Sequence, residues 1–298
     1  MSSYNGEEGY INLLCDTLKK GEYKKGRNGN TYSVFGQMIS FYNIHKSFPL
    51  LTTKKMFTKG IIEEILWFLR GSTDAKELQK QGVKIWDGNS SREYLDSIGL
   101  SHYSEGELGP VYGWQWRNFG KRYNKEDDNG GFDQLKYIIQ ELMKPENSRR
   151  AVLSGWNPTQ LSEMALPPCH ILYTFYKNKN GISCMMNMRS SDLFLGLPFN
   201  IASTSILTHI IAKVLHVNPI DISITITDAH IYEEHIDAVN EQVKNKILDS
   251  APTLTIRKEP PPIDSPVDEK IKWINCLKYE DFVVNNYKSA GTIKAPMK

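Results

Sequence analysis

The chain has 298 residues, with 36 Lys and Arg against 34 Asp and Glu and a formal net charge of +2. That length supports one large domain or two small ones around a sizeable core, and the near-neutral balance excludes the concentrated basic face of a nucleic-acid binder. No apolar span suits a membrane-crossing helix, the start MSSYNGEEGY lacks the basic and apolar regions of a signal peptide, and Cys15, Cys169, Cys184 and Cys276 stand too far apart for a zinc site or a disulfide framework. The expected setting is reducing and cytoplasmic.

The first periodic segment in chain order is IIEEILWFLR. Ile62, Ile65, Leu66 and Leu69 recur at helical spacing and predict a helix over 61–70 with one buried face. Leu135, Ile138, Ile139 and Leu142 predict a second helix. The strand-like runs AVLSGW, ILYTFY and ISCMMNM fall close together between 151 and 188. Leu207, Ile210, Ile211 and Val214 predict a third helix, and ISITIT (222–227) alternates isoleucine with Ser or Thr, as a half-buried strand does. The prolines of EPPPIDSP (259–266) predict a rigid, exposed connection too near the C-terminus to divide two domains. The expectation is a single α+β domain over 1–298, a mixed or mostly antiparallel sheet with helices on one side. The absence of G-x-G-x-x-G, G-x-x-x-x-G-K-[ST] and G-x-S-x-G counts against a dinucleotide-binding dehydrogenase, a P-loop NTPase and an α/β-hydrolase.

ALPPCHIL (165–172) places Cys169 behind two prolines that fix the backbone and ahead of a strand-like run. A nucleophile needs that fixed position; a core-filling cysteine does not. A thiol attacks as thiolate, which a nearby cation favours, and Arg149, Arg150 and Arg189 are candidates in the sequence. His170 leaves the opposite face of an extended segment, so it does not read as the base of a Cys–His protease pair. From the residues alone, an inert buried thiol and a reactive one both stay open. Arg27 in GRNGN, Arg149 and Arg150 in SRR and Arg189 in MRSSD offer forked donors for phosphate oxygens, with the Ser190 hydroxyl beside them. Taken singly, each reads as a surface arginine. The amide of Asn200 in DLFLGLPFNIAS matches the carbonyl and N–H of a uracil-like edge, and equally suits a helix N-cap. His230 and Tyr232 in DAHIY share one strand face and can hold a hydroxyl, or be ordinary strand residues. Trp86, Tyr112, Trp114 and Trp116 can stack on a flat heterocycle or fill the core. Glu64 lies inside an apolar helix, where an unpaired carboxylate is costly; a raised pKa and acid–base work follow from that.

FPLLTTKK, EEILWFLRGST, GVKIWDGNSSREYLDSIGL, ELGPVYGWQWRNFG, SRR, MALPPCH, RSSDLFLGLPFNIAS and DAHIY succeed one another in an order that resembles the thymidylate synthases, from about Arg27 to about Pro296. The resemblance implies transfer of a one-carbon unit from 5,10-methylenetetrahydrofolate to C5 of deoxyuridine monophosphate (dUMP), giving thymidylate (dTMP) and dihydrofolate. It implies that Cys169 attacks C6 while Asn200 reads the uracil edge. Arg27, Arg189 and Ser190 would hold the phosphate, joined by Arg149 and Arg150 from the other subunit of a homodimer packed through the sheet face. His230 and Tyr232 would hold the sugar 3′-hydroxyl, Glu64 would relay protons, and Tyr112 would help remove the C5 proton. Ile85, Trp86, Asp192, Gly196 and Phe199 would line the folate site, with Lys54 near the glutamate tail.

The sequence departs from that pattern in four places. Met188 stands where the family commonly has Gln, Trp114 continues the tyrosine motif, Thr227 replaces a Gly, and the chain finishes KAPMK, ending on Lys298. NMRS and YGW resemble the phage deoxycytidylate hydroxymethylases, a sister branch in which water adds to the shared methylene intermediate. The alternative expectation is therefore a dUMP hydroxymethylase, giving 5-hydroxymethyl-dUMP and tetrahydrofolate. Asn200, where the cytosine enzymes carry an aspartate, and the retained Trp86 point to reduction.

Overall fold

Ile222, Ile224 and Ile226 are buried, whereas Ser223 and Thr225 are half-buried and Thr227 is exposed. This period of two makes their strand the divider between a core and an open face. The computed structural model describes residues 2–26, 28–123, 130–146 and 148–297. Among these, one sheet holds seven strands. They are β1 (Ser2–Asn5), β2 (Glu22–Lys24), β3 (Thr31–Phe41), β4 (Val152–Ser154), β5 (His170–Asn178), β6 (Gly181–Asp192) and β7 (Pro219–Tyr232). Their order is β1-β3-β7-β6-β5-β4, with β2 also on β3. The β1–β3 and β6–β7 pairs are parallel, and the others are antiparallel. The sheet is thus mixed, within the expected α+β class. A separate antiparallel pair joins β8 (Thr253–Ile256) to β9 (Phe282–Asn285).

The helices are α1 (Gly6–Lys20), α2 (Thr58–Leu69), α3 (Ala75–Lys80), α4 (Asp87–Ser90), α5 (Arg92–Ser97), α6 (Gly113–Asn118), α7 (Gln134–Met143), α8 (Gly196–Val214), α9 (Ile236–Gln242) and α10 (Val267–Asn275). Helix α8 crosses from β6 to the parallel β7, as a parallel pair requires. It is buried around most of its circumference, so it is a core helix rather than a surface one. It starts well before the predicted 207–214 because Pro198 falls in its first turn, where a backbone N–H has no intrahelical partner to lose. Asp192 supplies part of the missing start, its carboxylate accepting from the N–H groups of Phe194 (2.9 Å) and Leu195 (3.3 Å). This crossover decides where function can sit, because the C-terminal end of β6 and the first turns of α8 converge.

The 259–266 segment has the exposed residues its prolines predict, and it is also fastened. Its carbonyls at Glu259, Pro261 and Pro262 accept hydrogen bonds from Trp273, His216 and the buried Lys270. On the open face of the sheet, Tyr176 and Met185 are 63% and 40% exposed, beside Thr174, Asn187, Ser223 and Thr225.

Candidate active site

Glu64 and Phe68, one turn apart on α2, face a cleft of about 190 Å³. Ile85, Trp86 and Asn89 close it from the start of α4, and Tyr112 from just ahead of α6. Leu166, Cys169 and His170 enter from the approach to β5, and Asn200 from α8. Asn200 is the fifth residue of that helix and not its N-cap, which leaves its amide to the cleft.

Cys169 is half-buried and held on all sides. Its amide donates to the Tyr112 hydroxyl (3.0 Å), and its carbonyl accepts from the Arg189 N–H (3.0 Å). The two prolines gain a second purpose here. Arg189 donates through Nε to the Pro168 carbonyl and through Nη2 to the Pro167 carbonyl, both at 2.8 Å, so the guanidinium is fixed with Nη2 3.8 Å from the Cys169 sulfur. Burial pushes the thiol up, while the Arg189 charge and the Tyr112 hydroxyl pull it back without cancelling that effect. The cation sought in the sequence is therefore present, and the resting sulfur is still a thiol.

The Tyr112 backbone has φ 27° and ψ −87°, a region that side-chain-bearing residues rarely adopt and that costs on the order of 1–3 kcal/mol. Packing maintains it. The ring stacks on Phe68 at 4.9 Å and tilts against His170 at 4.4 Å. Gly113 follows because a Cβ there would lie 2.5 Å from the Phe68 carbonyl oxygen. Across the cleft, Trp86 Nε1 donates to Glu64 (2.9 Å). Burial raises the Glu64 carboxyl to about 7 against that hydrogen bond. His170 pairs with the Tyr173 hydroxyl at 3.1 Å, and burial lowers its pKa to about 3, so the ring is neutral. It is therefore no general base for Cys169. It does line the same cleft, contrary to the opposite-face reading, because Cys169 precedes β5 and a register irregularity between His170 and Leu172 breaks the alternation.

A second group lies at the ends of β6 and β7, where Ser190 pairs with Asp228 in register. His230 Nδ1 is 3.1 Å from Asp228 and 3.5 Å from the Ser190 hydroxyl, and its ring meets Tyr232 edge-on at 5.2 Å. His230 and Tyr232 thus share one strand face. The hydrogen bond from His230, with help from Ser33 and Lys24 against burial, holds Asp228 down at about 2.

The remaining candidates are spread around these two groups. Asp192 and Gly196 flank the start of α8, and a Cβ on Gly196 would lie 3.9 Å from the Asn200 amide oxygen. Phe199 is half-buried against the core. Lys54 is only 5% exposed; its ammonium donates to the Phe194 carbonyl and sits 3.7 Å from that ring's centre. Burial lowers its pKa to about 7, with the Asp192 charge opposing. Arg149 and Arg150 are exposed ahead of β4, whose pairing (Val152 opposite Thr174) carries them toward Tyr176. At ~3.4 Å per residue that is roughly 20 Å of strand from Cys169. Arg27 and Lys298 lie outside the described residues. Trp114 packs edge-on against Tyr123 at 4.9 Å and does not line the cleft. Phe68, Asn89, Leu166 and His170 complete the lining without having been singled out as site residues. Asn89 stands in GNSS three residues after Trp86, a polar signal inside a segment already read as functional.

The profile of the thymidylate synthase family matches residues 8–298. The chain belongs to the thymidylate synthase family. It is 44% identical over 301 residues to the thymidylate synthase of Herpesvirus ateles, covering 100% of this chain and 99% of the relative. It is 42% identical over 319 residues to that of Candida albicans, again covering 100% and 99%. With the bifunctional dihydrofolate reductase-thymidylate synthase of Zea mays it shares 49% identity over 260 residues, 86% of this chain and 50% of that protein. The chain spans about half the length of such two-function relatives and nearly the whole of the single-function thymidylate synthases.

Proposed function

We propose that the chain methylates dUMP reductively at C5, with 5,10-methylenetetrahydrofolate as co-substrate, giving dTMP and dihydrofolate. One observation carries this reading: a backbone-fixed sulfur, a cation on it, a protonatable carboxyl and a pyrimidine-matching amide surround a single cleft. The Cys169 proton passes to water, the sulfur bonds to C6, and the C5–C6 electron pair moves toward O4, making C5 the nucleophile it otherwise is not; the C5–C6 double bond re-forms at the end by expelling the sulfur from C6. The amide of Asn200 holds the ring's carbonyl and N–H. Glu64, poised near neutrality, gives a proton to the developing charge and can take it back. Tyr112, already tied to the Cys169 amide, would help remove the C5 proton. Arg189 and the Ser190 hydroxyl would hold the phosphate, and His230 and Tyr232 suit the sugar hydroxyl.

The folate supplies the carbon and the hydride. The residues present fit it: Trp86 and Ile85 form a flat apolar wall and Asn89 adds a polar group, while Asp192 lies outside that lining, just ahead of α8, the helix that carries Asn200. Trp86 would keep water from the exocyclic carbon, which favours reduction over hydration. Incubation with dUMP and 5,10-methylenetetrahydrofolate is expected to raise the absorbance of dihydrofolate in step with dTMP. Appearance of 5-hydroxymethyl-dUMP without dihydrofolate would replace reduction by hydration, and no turnover of dUMP would reject both.

The open sheet face, with Tyr176 and Met185 uncovered, supports a homodimer packed through it. Arg149 and Arg150, exposed and far along the strand from their own Cys169, would serve a neighbour's phosphate site. A mixture of Cys169→Ala and Arg149→Ala subunits is then expected to recover activity that neither variant has alone, since one hybrid site is intact. A mixture no more active than its parts would refute sharing. The free cysteines, Cys15 and Cys276 exposed among them, suit a reducing cytoplasm.

A further inference from the structure

We propose that His235 is a positioning residue, which sets the Asp192 carboxylate by tying its turn to the C-terminal segment. The proposal rests on reading Asp192 as a folate contact and extends that reading to a residue outside the cleft. His235 ends a short turn after β7 and its side chain is fully buried. Its Nε2 lies 2.8 Å from the Pro296 carbonyl and its Nδ1 lies 3.6 Å from Asp192 Oδ1. Phe194 and Tyr232 hold the ring from two sides, at 5.6 and 5.4 Å between centres. A carbonyl only accepts, so Nε2 must donate. The other ring nitrogen faces the Asp192 carboxylate.

Asp192 has little freedom left. Its oxygens already accept from Phe194 and Leu195, and the Tyr10 hydroxyl and Lys54 ammonium grip the carbonyls of Leu193 and Phe194. Burial by itself would raise the Asp192 carboxyl, and the hydrogen bond and charge of His235 instead bring it below the usual range. The C-terminal segment reaches His235 along an ordered path. Ala290 donates to the Thr52 carbonyl (2.8 Å) and Lys55 donates to the Gly291 carbonyl (2.5 Å). One imidazole therefore joins three parts of the chain: the end of β6 that starts α8, the turn after β7, and the C-terminal segment. A displacement at 290–296 reaches Asp192 through this ring.

Two independent measurements test this. In the ligand-free protein, amide hydrogen exchange of the peptide from 290 onward is expected to quicken about tenfold in His235→Ala, the loss of one buried hydrogen bond. His235→Gln, which keeps a donor near the Nε2 position, should restore slow exchange; His235→Asn, which keeps one near Nδ1, should not. In turnover, His235→Ala should raise the KM for the folate about tenfold, with a smaller effect on dUMP binding, since the Tyr232 ring loses one neighbour. In a chain lacking residues 296–298 the same substitution should add no further loss, because the two changes break one link. Unchanged exchange in His235→Ala, or losses that multiply in the double variant, would overturn the coupling. The exchange arm needs no catalysis, so absence of dUMP turnover would reject the enzymatic reading and leave the coupling to be judged separately.

Discussion

Replacing Cys169 with serine is expected to lower kcat at least about a thousandfold while dUMP still binds. The site is organised around sulfur as a nucleophile that can lose its proton near neutrality. A serine hydroxyl keeps the volume and both backbone hydrogen bonds, yet the Arg189 charge 3.8 Å away cannot bring an alcohol within reach of ionisation. Retained binding with lost turnover assigns the effect to the chemical step. The same claim has a direct chemical readout. The 5-fluoro analogue of dUMP, given with 5,10-methylenetetrahydrofolate, should leave a covalent adduct on the Cys169 peptide of the native chain and none on Cys169→Ser. Substantial activity in the serine variant, or a native chain that never forms the adduct, would remove the mechanism proposed here. Because burial keeps the resting thiol protonated, the adduct should form faster as pH rises.

The elements legible in the sequence were those whose burial follows a simple period. Helix α2 matches its predicted range closely, α7 encloses the four residues that predicted it, and the alternating centre of β7 is a strand as read. The N-terminal third of the sheet was not visible in this way. Strand β1 is four mostly polar residues that become a strand only by pairing with β3. Within β3 the register is unbroken, but Gly36 and Gln37 are both buried and so are Ile39, Ser40 and Phe41, so burial there has no period of two to read. Helix α1 buries Tyr10, Leu13, Leu14 and Thr17, a helical spacing diluted by charged neighbours.

The site shows the same division. Motif order brought Glu64, Trp86, Tyr112, Cys169 and Asn200 to one cleft, because each motif carries its side chain on a local element. What could not be read were contacts made by pairing across the sheet. The Arg189 grip on the Pro167 and Pro168 carbonyls spans more than twenty residues and depends on β5 lying against β6. The burial of Lys54 on the Phe194 carbonyl depends on where the β6–α8 turn comes to rest.

Glu64→Gln is the second large effect expected, and it separates catalysis from stability. The amide keeps the oxygen that accepts from Trp86 and fits the same space, but it cannot exchange a proton. Loss of a positioned acid–base group costs about 10²–10⁴ in kcat, with dUMP binding preserved. In the native chain the carboxyl is raised from 4.5 to about 7, so kcat/KM should bend near pH 7, and that bend should vanish in the variant. The consequence for folding has a fixed sign. A carboxyl raised in the folded state binds more protons folded than unfolded between those two values, so native stability falls as pH rises through that window. The glutamine has no such titration. Glu64→Gln should therefore gain on the native chain from about pH 4.5 upward, reaching on the order of 3 kcal/mol by pH 8, as read from urea unfolding at a series of pH values. A less active but progressively more stable variant would identify Glu64 as a buried charge retained for proton transfer. A variant of native activity, or one whose relative stability ignores pH, would return Glu64 to the status of a partner for the Trp86 indole.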